Sequence, residues 1–488
     1  MKFEFECRQA LPKLAWVASV RRGESIVRVL HGPQVELRSD AFFEGAWSGS
    51  FHEFAFDEAT SVGGSGARLR DGRVIFSGPS YLGDRFYSTR VGDELFLSNS
   101  LAFLLACSRQ CLDPAYRYYY FDFLKFRRTG IRQKVKQIRL QGGNFVDFHD
   151  CCNLAINSDL EKKRIEKPID PCPKNFSEYY ALLERNLSAI ISNAADPARR
   201  CSYRPITMLS QGYDSTAVST LASKLGCREA VTYRESGSDL GYENDSGVAI
   251  APHLSLAITE YNRMEFPSAP EHRPEEFYIE PWGADRSMAL TVQQIAGSLL
   301  FDGRFAENIW PRQGSKWWGP ISDKGRPLLQ DLTCPILAGT ALGELRLRIG
   351  FVGFSPGSIG AIHAPVIHAI GRSKEMKPWS VGGHYDKPIA RRIAEEGGVP
   401  RHLFGQKKKG GLPFLPAASR SRIQRWRKQL AGEVVFRTLA VRLLGVRIDP
   451  LWKRGSLDVQ KCMDRAKERY QEALADSSAG AVRKASRA

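Results

Sequence analysis

The chain has 488 residues, 43% of them hydrophobic and 25% charged, with 43 Gly and 26 Pro spread along it. That composition excludes a disordered, collagen-like or low-complexity chain, because there is ample apolar surface to bury. At roughly 100–200 residues per domain, two or three domains are expected. No apolar run reaches the roughly 18 residues of a membrane span, and Leu101–Cys107 is among the longest. The opening segment MKFEFECRQALPK carries acids where a signal peptide needs an apolar stretch, so a soluble, cytoplasmic protein is expected. The formal charge is +17, and the segment from Ala417 to Ala488 supplies +10 of it, with 17 basic against 7 acidic residues. A basic surplus invites a nucleic-acid partner. This segment lacks interleaved aromatics, and a solvated helical tail is the expected reading. Ten scattered cysteines form no CxxC pair and indicate idle thiols rather than a zinc site.

Residues 1–158 read as strand-rich: Ser25–Leu30, Arg73–Ser77 and Glu94–Ser98 alternate between Gly, Asp and Pro punctuation. Residues 159–175 are charged, hold three prolines and are expected to be a linker. Apolar residues at Phe176, Tyr179, Tyr180, Leu183, Leu187, Ile190 and Ile191 predict an amphipathic helix over Phe176–Ala194. From Pro205 the pattern becomes strand, turn, helix. PITML is a short apolar run and SQGYDS is turn chemistry. TAVSTLASKLG then sets Ala217, Val218, Leu221, Ala222 and Leu225 on one face, with Gly226 at the C-terminal cap. Apolar runs at Ala230–Tyr233 and Leu256–Tyr261, with a helix expected after Asp245, argue for a parallel sheet wrapped by helices. Beyond about Met288 the chain reads as mainly helical.

The turn Ser210-Gln211-Gly212-Tyr213-Asp214-Ser215 is the chemical centre of the sequence. A Ser/Gly turn that opens a helix presents backbone N–H groups and the positive helix end to an anion. Ser210 and Ser215 add hydroxyls, and Gly212 lets a phosphate approach the backbone. Simple helix capping by Asp214 or Ser215 explains the same residues equally well.

LSQGYDSTA resembles the pyrophosphatase loop, Ser-Gly-Gly-x-Asp-Ser, of the asparagine synthetase-like ATP pyrophosphatases, a family that includes β-lactam synthetase and lasso-peptide cyclases. Four of its five fixed positions match, and Gln211 replaces the first glycine. Asp302-Gly303-Arg304-Phe305-Ala306-Glu307-Asn308 is similar to the family's second loop, Gly-x-Gly-Ala-Asp-Glu, with Glu307 at the Asp position and Asn308 at the Glu position. Tyr385 and Asp386, then Lys408-Lys409-Gly410, resemble the closing strip and its Lys-x-Gly loop. Gly83–Leu105 is similar to part of the glutaminase domain, but Lys2 stands where those enzymes carry their nucleophilic cysteine, and Cys7 would lead the chain only after loss of six residues. β-Lactam synthetase and lasso cyclases share that departure. The resemblance covers roughly residues 70–415.

What the resemblance implies is an α/β protein: an N-terminal Ntn-hydrolase-like αββα sandwich (1–158), a linker (159–175), an ATP-pyrophosphatase domain (176–430) with a parallel sheet and a helical C-terminal part, and a basic helical tail (431–488). It implies ATP and Mg2+, with Leu209, Ser210, Gly212, Asp214, Ser215, Asp245 and Gly303 at the nucleotide and Asp214 and Glu307 at the metal. Asp245 serves equally as a helix cap. Lys408, Tyr385 and Asp386 would be catalytic, with the choice among Lys407, Lys408 and Lys409 open. The implied activity is AMP-forming amide ligation of a carboxylate-bearing small molecule or peptide with its amine or with ammonia. A nucleic-acid-adenylating enzyme and a non-catalytic relative remain as alternatives. Glu344, Arg346 and Arg348 are read as either a paired helix face or substrate contacts, and His253, His363, His368, His384 and His402 show no metal spacing.

Overall fold

The computed structural model describes residues 1–81, 83–115, 122, 136–238, 241–279, 286–311, 342–383, 385–407, 409 and 459–485. The protein is mixed α/β, with a seven-stranded, a six-stranded and a five-stranded sheet and a small two-stranded ribbon. No helix among the described residues is long and apolar enough to cross a membrane.

The alternating N-terminal segments form the first two sheets. Strands Ile26–His31, Arg73–Ser77 and Glu94–Ser98 fall within a residue of their expected positions. Trp16, Val27, Val29, Leu95 and Leu97 from the seven-stranded sheet share one core with Phe42, Val74, Phe76 and Leu154 from the six-stranded sheet. Each fully buried side chain of this kind contributes about 1.5–3 kcal/mol, so this seam alone holds the two sheets face to face. Helix Leu101–Ser108 covers the outer face of the seven-stranded sheet, with Leu101, Phe103, Leu104 and Leu105 buried among Val17, Tyr87 and Phe148. The expected linker holds an edge strand. Lys162–Glu166 pairs antiparallel with Cys152–Ile156, and its mostly exposed charges are what an edge strand uses to discourage further pairing.

Helix Phe176–Ala194 spans its expected range, opened by Asn175, whose side chain accepts from Glu178 N. It leads into the five-stranded sheet, ordered Ala257–Tyr261, Glu229–Tyr233, Arg204–Met208, Ser298–Phe301, Val352–Phe354, with every neighbouring pair parallel. Both faces are buried: Leu299 and Phe301 join one core while Leu300, from the same strand, joins another. The segment beyond Met288, expected to be mainly helical, also contributes two strands to this sheet. Runs of four and three residues are too short to show a period. The helix expected after Asp245 is only a short 3-10 turn, Ala251–Leu254.

The described part of the tail is not a free, solvated helix. Within helix Val459–Ala485, Met463, Ala466, Tyr470 and Ala473 are buried in the same core as helix Leu101–Ser108, and Cys462 is also buried. Their spacing is an apolar stripe that a count of charges hides. The ring of Tyr470 stacks on Phe103 at 4.6 Å, and Arg469 pairs with Glu275.

Candidate functional site

The first strand of this parallel sheet in chain order, Arg204–Met208, lies at its centre, and the chain leaves it in both directions: two later strands lie to one side, two to the other. Open parallel sheets bind ligands beyond the carboxyl ends of the strands where the order reverses. The turn Leu209–Gly212 sits at that point. Leu209 N still pairs with Val231 O at 3.0 Å, and Gly212 caps helix Tyr213–Lys224.

The turn is held by its own hydroxyls. Ser210 Oγ and Ser215 Oγ lie 2.7 Å apart, Gly212 N donates to Ser210 Oγ at 3.2 Å, and Thr216 Oγ1 donates to Gly212 O at 2.8 Å and Ser210 O at 3.0 Å. These bonds fix the backbone while the first helical amides, which no helix satisfies internally, point beyond the N-terminus. Helix Tyr213–Lys224 ends at Leu225, followed by Gly226 at φ +97°, the left-handed turn expected there.

The second loop is pressed against the first. A Cβ on Gly303 would lie 2.7 Å from Ser215 N and 2.9 Å from the Asp214 carbonyl carbon, so only glycine fits this approach. Asp302 locks the loop by accepting from Arg304 N at 2.9 Å and Ser355 Oγ at 2.6 Å. Phe305 then takes φ +65°, a region that costs a side chain energy, and opens the short helix Ala306–Ile309 that carries Glu307. The side chain of Asn308 lies outside the described residues.

Asp245 enters through its backbone, its carbonyl accepting from Gln211 N at 3.1 Å, and Ser246 bridges to Ser210. From the closing strip, the Tyr385 ring lies 4.9 Å from that of Tyr213. Burial, and then the Asp214 carboxylate, push its phenol far above the ordinary range, so it stays a neutral donor. Asp386 braces a turn: its carboxylate accepts from Ser380 Oγ at 2.5 Å, Val381 N at 3.1 Å and Gly382 N at 3.2 Å. Lys408 lies outside the described residues.

Lys387 is the residue that sequence reasoning passed over. It is 6% exposed, and its Nζ donates to Asp214 Oδ2 at 2.5 Å. Its signal was a lysine directly after Asp386 and directly before Pro388, which begins helix Pro388–Glu396 at a position that suits proline. The other Asp214 oxygen, Oδ1, is buried with no hydrogen-bond partner among the described residues. Beneath the turn, Arg391 stacks on Tyr213 at 5.0 Å and Phe404 at 5.4 Å and donates to the Tyr213 hydroxyl.

Nucleotide sites hold magnesium by one or two carboxylates plus the substrate's phosphates. The orphaned Asp214 Oδ1 fits that role, and among the described residues no group of three acids, histidines or cysteines forms a protein-only cage. Asp214, with Glu307 on the facing loop, could hold such a cation. When bound it would neutralise charge on the departing phosphates.

Glu344, Arg346 and Arg348 are structural braces. Glu344 accepts from Ser100 Oγ at 2.6 Å and Tyr470 OH at 2.8 Å. Arg346 pairs with Glu44 and Asp84, and Arg348 with Glu271 and Glu276. The chain matches no protein-family model, and no curated protein matches it at a significant level.

Proposed function

We propose that the chain is an ATP-dependent, AMP-forming carbon–nitrogen ligase. It activates a carboxylate as an acyl-adenylate, releases pyrophosphate, and joins the acyl group to an amine on the substrate or to ammonia rather than to nitrogen from glutamine. The observation that carries this reading is the part-buried Asp214 carboxylate at a helix N-terminus at the sheet's switch point, whose buried Oδ1 has no hydrogen-bond partner among the described residues, with Gly303 packed against its backbone.

A carboxylate reacts poorly with amines until its oxygen is converted into a leaving group. The Ser210–Ser215 hydroxyls and the first amides of helix Tyr213–Lys224 suit a triphosphate, and fixed donors stabilise charge without reorganising as it develops. Lys387 is poised to follow the charge from Asp214 towards the leaving phosphates, and the neutral Tyr385 phenol offers a further donor. The same reading takes the two face-to-face N-terminal sheets as a glutaminase-like Ntn unit that has lost its nucleophile, since Lys2 opens its edge strand. It takes the parallel sheet as a pyrophosphatase-loop domain, and a cytoplasmic place of action follows from its use of ATP. The described part of the tail is engaged in internal packing, which lends no support to an RNA substrate.

The test is ATP–pyrophosphate exchange with magnesium and fractionated extract of the native host, with Asp214→Ala as control. Exchange that depends on one fraction, resists ribonuclease and vanishes in the variant is the expected result. Its absence from every fraction with folded protein would leave a non-catalytic binding protein.

A further inference from the structure

The position where this chain departs from the loop pattern has a partner of its own. Gln211 sits where a glycine was expected, and its side chain bonds at both ends. Its Nε2 donates to Ser246 O at 3.1 Å, and its Oε1 accepts from Lys409 Nζ at 2.5 Å. The same ammonium donates to Asn244 O at 2.9 Å. The backbone of Gln211 is equally occupied: its N–H donates to Asp245 O at 3.1 Å and its carbonyl accepts from Gly405 N at 2.8 Å. Gly405 is forced to be glycine, because a Cβ would lie 2.4 Å from the Tyr213 ring. One side chain thus ties three segments together: the turn, residues 244–246 and the chain from Gly405 to Lys409.

We infer that Gln211 is a positioning residue that draws Lys409 over the phosphate end of the turn, making Lys409 the cation that meets the pyrophosphate group. The inference rests on the nucleotide reading above and deepens it. A glycine at position 211 offers no side-chain acceptor, so a lysine there would have to be placed by other contacts. With Gln211, a neutral amide oxygen orients the ammonium without neutralising it, which a carboxylate would do. Lys387 on one flank and Lys409 on the other then place two cations beside a turn whose second loop has Asn308 in place of an acid. Anionic phosphate oxygens gain most from charged donors, and the flexible lysine head turns from the amide to the ligand with little rearrangement.

The experiment measures the affinity of inorganic pyrophosphate, by calorimetry, for the full chain and for Gln211→Gly, Gln211→Met, Lys409→Met and the double variant Gln211→Gly/Lys409→Met. Gln211→Met keeps the bulk and removes the acceptor, so it separates a lost hydrogen bond from a disturbed turn. Each single variant is expected to weaken binding about tenfold, the worth of one charged hydrogen bond, and the double variant no further than either. Acetylation of Lys409, read by mass spectrometry, is expected to be slow in the parent and fast in both Gln211 variants. Unchanged affinity in Gln211→Met, or additive losses in the double variant, overturns the inference. If the parent binds neither pyrophosphate nor ATP while the acetylation pattern holds, the nucleotide reading falls, and the phosphate role of Lys409 falls with it. Normal binding with unchanged acetylation rejects the Gln211–Lys409 link alone.

Discussion

Glu44 and Asp214 are both carboxylates turned away from solvent against a cation, and the protein treats them oppositely. Glu44, in a strand of the six-stranded sheet, is saturated. Its Oε1 accepts from Ser65 Oγ at 2.9 Å, Asn99 Nδ2 at 3.1 Å and Arg346 Nη2 at 3.0 Å, and its Oε2 from Arg346 Nη1 at 2.5 Å. Asp214 has Lys387 on one oxygen and no partner among the described residues on the other. A buried acceptor without a donor costs free energy that a purely structural site has no reason to carry. A closed network around a buried charge therefore marks architecture, and an open valence marks a place kept for a ligand.

The largest effect expected on stability separates the two. Glu44→Gln removes the charge that faces the buried Arg346 guanidinium and leaves it only Asp84, whose Oδ2 lies 2.9 Å from Nε. Loss of one partner from a buried pair costs about 3–5 kcal/mol, to be read from the urea midpoint. Exchange per folded molecule should be unchanged, since Glu44 touches no part of the turn. A cost below about 1 kcal/mol would break the comparison on its structural side.

Asp214→Asn is expected to do the reverse. Exchange should fall by at least about 100-fold, the ordinary loss when a preorganised polar group is removed from a charged transition state. Stability should fall by less than for Glu44, about 1–2 kcal/mol, because one charged hydrogen bond changes rather than four. A variant that keeps full exchange would make Asp214 a helix cap and nothing more.

How much of this was legible follows from the length and kind of each signal. Helix Phe176–Ala194 carries its apolar positions over five turns, and the turn at Ser210–Ser215 is a local pattern, so both could be read directly. Ser298–Phe301 and Val352–Phe354 owe their strand state to neighbours on either side, which a single segment does not contain. Lys387 was hidden because its partner lies 173 positions earlier, and the carboxylate of Asp386 beside it braces Val381 and Gly382. In the tail, positive charge concealed the apolar stripe. In Lys162–Glu166, charge concealed a strand.

An effect that is smaller per pH unit sharpens the contrast from the N-terminal side. His149 stacks on Phe86 at 4.7 Å, and its Nε2 lies 2.9 Å from Ser88 Oγ. Burial first, and then the nearby Lys162 ammonium, hold its imidazole down at about 3. The folded protein thus favours the neutral ring. Its contribution is fully present above the unfolded value of about 6.5 and is lost as pH falls towards 3, by up to about 1.4 kcal/mol per pH unit. Thermal midpoints of the parent should drop through that window, and His149→Gln should drop less steeply. Equal slopes would mean that this ring is not the group being titrated.

The smallest effect tests whether the tail helix belongs to the architecture. Tyr470 reaches Glu344 Oε2 at 2.8 Å, while Glu344 Oε1 receives Ser100 Oγ at 2.6 Å and Ser100 caps helix Leu101–Ser108 by accepting from Phe103 N at 3.0 Å. Three segments, near residues 100, 344 and 470, therefore share one hydrogen-bonded chain. Tyr470→Phe keeps the stack on Phe103 and deletes only the hydroxyl. It leaves the Glu344 carboxylate with one donor fewer, at a cost of about 1 kcal/mol. If the double variant Tyr470→Phe/Glu344→Gln is no less stable than Tyr470→Phe alone, the hydroxyl and the carboxylate act as one unit. Additive losses would show instead that the tail is held by its apolar stripe and the aromatic stack, with the hydrogen-bonded chain incidental to it.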